Sequence, residues 1–101
     1  MNVNETLKER GKRYGSFKSF SMTSQDFKKL LNFYLERQNC TLSDPHKEAL
    51  DMILHKIGRI INGDPNYKDN WHDIAGYARL AEDECIEEVS EQGTQADPLG
   101  R

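Results

Sequence analysis

Residues 54–80 decide the fold: this stretch holds Lys56-Ile57-Gly58-Arg59, then Asn62-Gly63-Asp64-Pro65-Asn66, then Asp73-Ile74-Ala75-Gly76-Tyr77. It reads as helix, turn, helix. On the first helix Ala49, Leu50, Ile53, Leu54, Ile57, Ile60 and Ile61 fall in one arc at about 100° per residue, the signature of an amphipathic helix. Lys56 sits on the border of that arc, and Glu48, Asp51, Met52, His55 and Arg59 fill the opposite side. On the second helix Asp73 lies between Leu80 and Tyr77 rather than among the solvent-facing His72, Arg79 and Asp83. Its carboxylate therefore points inward or along a groove and needs a partner. Lys56 and Arg59, about one turn apart, are the nearest candidates if the helices pack as an antiparallel hairpin.

Working outward, Asp44 as N-cap and Pro45 at the first helical position open the first helix of the hairpin. It ends near Asn62-Gly63, where glycine suits the left-handed cap and Pro65 prevents resumption. The last helix starts near Asp69 and runs to about residue 88, with Trp71, Ile74, Ala78, Ala81 and Cys85 as its core stripe. Gly76 interrupts it at a cost of about 1 kcal/mol relative to alanine, the mark of a close neighbour. Upstream, Thr23-Ser24-Gln25-Asp26 forms a variant capping box and Met22 staples against Phe27. The helix from there to about Gln38 buries Phe27, Leu30, Leu31, Tyr34 and Leu35. Residues 1–22 read as a short helical segment stopped at Gly11, then a loop over 13–22 pinned by Phe17 and Phe20 or folded over a site.

The chain of 101 residues carries a net charge of -3 and a mean hydropathy of -0.86. One domain fits that length, over residues 1–88, with 89–101 expected as a flexible tail without apolar period. The charge gives no general case for nucleic-acid binding, although Lys8, Arg10, Lys12, Arg13 and Lys18 cluster early and Glu82, Asp83, Glu84, Glu87, Glu88 and Glu91 late. No apolar run approaches the roughly 18 to 20 residues that span a bilayer, and no signal-peptide core is present, so a cytoplasmic protein without membrane contact is expected. Cys40 and Cys85 read as small packing residues rather than a zinc pair.

The sequence has no glycine-rich phosphate loop, no metalloprotease His-Glu-x-x-His and no serine-hydrolase elbow. Two constellations remain. Glu48, Asp51 and Asp73 converge across a hairpin if their helices face correctly, and magnesium takes such oxygen ligands. Lys56, Arg59 and Arg13, with the phenols of Tyr14 and Tyr77, form the rival set, able to receive a phosphate and stack on a base. An ion pair from Lys56 or Arg59 to Asp73 is the purely architectural alternative. His46, His55 and His72 lack ligand spacing, and no metal is assigned to them.

Arg13-Tyr14-Gly15, Lys56-x-x-Arg59, Asp69 and Asp73-Ile74-Ala75-Gly76-Tyr77 resemble, in this order, a family of small uncharacterised phage and prophage proteins. More distantly, the hairpin is similar to the all-α nucleotide pyrophosphohydrolases of the MazG type, oligomeric enzymes that bind magnesium through Glu-Glu-x-x-Glu and Glu-x-x-Asp motifs. Those motifs fall on Lys47-Glu48-x-x-Asp51 and Asn70-x-x-Asp73, with Lys47 and Asn70 where the enzymes have acids. The resemblance thus implies a scaffold that holds a nucleotide without turning it over.

The resulting expectation is an all-α small helical bundle around a central antiparallel hairpin, completed by oligomerisation into a homo-oligomer. Its ligand is a phosphorylated nucleotide or nucleotide-derived defence signal, held by Arg13, Tyr14, Lys56, Arg59, Asp73 and Tyr77 with no cofactor, in the cytoplasm of a bacterial host. Two alternatives stand beside it. One is a magnesium-dependent pyrophosphohydrolase using Glu48, Asp51 and Asp73. The other is a protein inhibitor that occupies a host defence enzyme through the acidic helix end at Glu84, Glu87 and Glu88.

Overall fold

In the computed structural model, which describes residues 2–86, four helices follow one another: α1 (Val3–Tyr14), α2 (Phe17–Arg37), α3 (Asp44–Asn62) and α4 (Lys68–Asp83). The protein is a small all-α bundle. The expected tail over 89–101, and residues 87 and 88 of the expected last helix, lie outside the described residues; α4 itself closes at Asp83.

Local chemistry explains most of the boundaries. Asn2 and Glu5 form a reciprocal capping box on α1, which satisfies two amides that a helix start leaves open. Ser43 caps α3 with Pro45 in its first turn, one residue earlier than the expected cap at Asp44. The expected stop at Gly11 is wrong, because α1 continues to Tyr14 and ends at Gly15 with φ 79°. The expected loop over 13–22 is wrong as well. Ser16 caps a second helix immediately, its Oγ accepting from the Ser19 amide, so α2 begins six residues before Thr23. Thr23 joins helices instead of starting one, since its hydroxyl donates to the Ser19 carbonyl and accepts from Asn62 on α3.

Packing is organised around α3. Phe20 of α2 lies against Gly58, whose missing side chain lets the ring approach to 3.4 Å from where a Cβ would stand. The Thr23 to Asn62 bond holds the start of α2 at the end of α3, and the link over 38–43 is too short to run back along either helix, so α2 is antiparallel to α3. On the other side Lys56 pairs with Asp73 at 2.9 Å. Near the opposite end of that helix pair, His46 Nε2 donates to the Ala81 carbonyl at 2.9 Å, so α4 is antiparallel too. Contacts join α3 to each of α1, α2 and α4, and α1 to α2, while α2 and α4 do not touch each other. The described chain is therefore one layer of three helices, with α1 laid across one end.

This arrangement buries few apolar side chains, Phe20 and Ala49 among the described residues. Several expected core residues are corrected accordingly. Leu30, Tyr34 and Trp71 are exposed, Phe17 projects into solvent rather than pinning a loop, and both cysteines are exposed thiols. A Cβ added at Gly76 would meet nothing within 4 Å, so the expected close neighbour belongs to Gly58 instead.

Candidate functional site

The C-terminal ends of α1 and α3 meet in a tight corner. The Asp64 amide donates to the Arg13 carbonyl at 2.7 Å. Gly15 sits against the backbone of Asn62, and Gly63 against the backbone of Arg13 and Tyr14. This corner places Tyr14 over α3, where the Arg59 guanidinium lies 4.3 Å from the Tyr14 ring centre and 5.7 Å from that of Phe20. Both distances are cation–π contacts.

Beside this stack opens a cleft of about 540 Å³ between α1, α2 and α3. Leu7, Tyr14, Phe17 and Phe20 give it apolar walls, and Arg10 and Arg59 give it cations. Neither arginine has an acidic partner among the described residues. Gly15 and Ser16 at its edge lead into the first turn of α2, where the Phe17 and Lys18 amides have no helical carbonyl to bond and the helix dipole is positive. The volume is within the range of small-molecule sites.

His55 lines the same cleft, with its ring edge-on to Phe20 at 4.6 Å between centres. Burial, then the cations Arg59, Lys28 and Lys56, push its pKa down to about 4. The ring is therefore neutral at neutral pH. A depressed folded pKa gives stability that is complete above the unfolded value near 6.5 and lost as pH falls through 4. We expect urea midpoints to drop between pH 6.5 and pH 4, and His55→Gln to flatten that window; a wild-type slope retained in the variant would assign the effect elsewhere. The contribution is at most about 3 kcal/mol before solvent screening reduces it.

The six residues expected in one site occupy three environments. Tyr14 and Arg59 line the cleft. Arg13 is turned away, paired with Glu9 at 2.9 Å and stacked 4.5 Å from the Tyr67 ring centre. Lys56 is buried and committed to Asp73, whose carboxyl it holds below the usual range through its hydrogen bond. Asp73 and Tyr77 line a separate recess of about 280 Å³ on α4, with His72, Gly76 and Leu80. Sequence reasoning missed Arg10, Phe17, Phe20 and His55 as neighbours of Arg59. The early basic cluster and Phe17-x-x-Phe20 were visible; the signal lost was that both lie on helices that converge.

The three carboxylates of the magnesium alternative do not converge. Both Asp51 oxygens accept from Lys47 at 2.7 Å, Asp73 faces Lys56, and no group of three or more His, Cys, Asp or Glu side chains among the described residues is placed to hold a metal. Of the acidic set in the inhibitor alternative, Glu84 is an exposed residue closing α4, while Glu87 and Glu88 lie outside the described residues. No described helix is long and apolar enough to cross a membrane.

Fold and cleft together define a small all-α protein with an aromatic recess lined by two arginines free of acidic partners among the described residues. The chain belongs to the family described as Domain of unknown function (DUF6378), whose model matches residues 2–85. No curated protein and no solved structure matches it.

Proposed function

We propose that this protein binds a phosphorylated nucleotide in the cleft between α1, α2 and α3. The observation that carries the reading is the pairing of Arg10 and Arg59, without acidic partners among the described residues, with the walls of Tyr14, Phe17 and Phe20 at the start of α2. A phosphate satisfies the guanidinium donors and the open first-turn amides, and a base stacks on the exposed Phe17 ring. The His55 imidazole in the cleft is neutral but weakly basic, its pKa held down to about 4 by burial and flanking cations, which makes it a poor general base. The carboxylates of Asp51 and Asp73, which do not line the cleft, are engaged by lysines. The proposal is therefore capture rather than turnover. In its finer form, supported by the motif resemblance alone, the protein is phage-encoded, acts in the host cytoplasm and sequesters a nucleotide-derived defence signal.

The test is thermal unfolding against mono-, di-, tri- and cyclic nucleotides, with and without magnesium, followed by chromatography of each mixture. A ligand at 100 times its dissociation constant stabilises the native state by about 2.7 kcal/mol, a shift of several degrees for a domain of this size. We expect such a shift with the nucleotide recovered intact. No shift with any phosphorylated nucleotide would remove the reading, and magnesium-dependent release of pyrophosphate would replace it with the hydrolase.

A further inference from the structure

The two sides of the α2–α3–α4 layer differ. Around α3, Ala49, Ile53, Lys56 and Ile60 fall on the side of α4, and Gly58 and Asn62 on the side of α2, as the Lys56 to Asp73 and Asn62 to Thr23 contacts fix. Two faces are left at 3.6 residues per turn. One carries Glu48, Met52, His55 and Arg59, and the end of α1 covers part of it. The other carries Leu50, Leu54, Ile57 and Ile61, with no charge among them. The same helical geometry turns Phe27, Leu30 and Tyr34 of α2 and Trp71, Ile74 and Ala78 of α4 toward that second side. None of these six is charged.

This face is unpartnered among the described residues. Leu30 is 55% exposed, Ile61 60% and Trp71 55%, with Tyr34 also exposed and Leu50 at the margin. Taking about 150–250 Å² for a large side chain, these five leave roughly 400–650 Å² of open apolar area, of the order of the apolar share of a standard interface patch. A stable interface buries about 800 Å² on each partner, and a single helical layer lacks the second layer that a core requires.

We propose that the occupant is a second copy of this chain, packed through a two-fold axis that brings α3 of one protomer across α3 of the other. An uncharged apolar face is complementary to itself, whereas a charged partner finds no counter-charge on it. The cleft opens on the opposite side of the layer, so each protomer of the dimer keeps its own site accessible. The proposal does not depend on what that cleft binds.

Light scattering and sedimentation equilibrium on the full chain read the mass directly. The expected mass at micromolar concentration is twice the 11.7 kDa of one chain. Leu30→Glu and Ile61→Glu place a charge on exposed positions that the monomer tolerates, so both variants retain wild-type helical circular dichroism. Each raises the dimer dissociation constant at least about 10-fold, because the interface must bury an unpaired carboxylate. Val3→Glu, at a position 73% exposed on α1, leaves the dimer intact. A full chain that stays monomeric overturns the proposal, as does a dimer that withstands both interface substitutions or dissociates equally with Val3→Glu.

Discussion

Gly15→Ala is expected to destabilise the protein by about 3 kcal/mol or more, the largest effect of any single methyl addition in the described chain. Two costs combine. Gly15 has φ 79° and ψ -170°, a region essentially reserved for glycine and costing an L-residue of order 1–3 kcal/mol. A Cβ there also falls on the carbonyl of Asn62, and the obstacle is backbone rather than the end of a flexible side chain. Relief requires the α1–α2 corner to separate from the end of α3, which breaks the Asp64 to Arg13 hydrogen bond and draws Tyr14 from Arg59. A domain of this size has about 5–15 kcal/mol in total, so the loss is a large fraction of its stability. Urea unfolding of the variant should show a midpoint lowered by about 1 M or more, at about 1–3 kcal/mol per molar. A change under about 0.5 kcal/mol, the ordinary range of a surface substitution, would mean that the corner is not fixed as described.

The second large effect concerns ligand affinity. Arg59→Ala should weaken binding of whichever phosphorylated nucleotide gives the thermal shift by about 10- to 150-fold, since hydrogen bonds to a charged group contribute about 1.5–3 kcal/mol. Arg59→Lys keeps the charge and loses the planar stack on Tyr14, so its loss should be smaller, about 10-fold. Arg13→Ala serves as the comparison, because Arg13 is held by Glu9 and Tyr67 outside the cleft; its affinity should stay within a few-fold of the parent. Titration calorimetry on the three variants separates these cases. Equal losses for Arg59→Ala and Arg13→Ala would return Arg13 to the site, and an unaffected Arg59→Ala would remove the cleft from consideration.

Particular elements show where sequence was sufficient. The α3–turn–α4 hairpin was legible because its signals are local: Pro45 at the start, Asn62-Gly63 and Pro65 at the turn, and a regular apolar spacing between them. The same hairpin narrowed the partner of Asp73 to Lys56 or Arg59, since an inward carboxylate on one helix needs a cation on the other, and the structure selects Lys56. The start of α2 was hidden. Ser24 occupies a buried position in the stripe that continues back through Phe20, and a serine there disguises the period. Ser21 and Thr23 then resemble loop and cap residues, although their hydroxyls bond preceding carbonyls within the helix.

The candidate site was legible only in part for a related reason. Tyr14 and Arg59 are far apart in the chain and meet because two glycines let the backbones of α1 and α3 interlock. Arg13, next to Tyr14, was grouped with it; on a helix, adjacent residues point about 100° apart, and this one faces Glu9 and Tyr67. The wide apolar arc of α3 is amphipathic as expected, yet its width concealed two separate faces. Ile53 and Ile60 face α4, while Leu50, Leu54, Ile57 and Ile61 face outward from the layer.

By itself the sequence determined the all-α class and the hairpin, and narrowed the partner of Asp73 to Lys56 or Arg59, because capping, turn chemistry and helical periodicity act within a few residues. Only the tertiary structure decided which helices are neighbours. That choice gathered Arg10, Arg59, His55 and three aromatic rings around one cleft and left an apolar face uncovered, since distances between helices depend on packing and close backbone approach that no local pattern encodes.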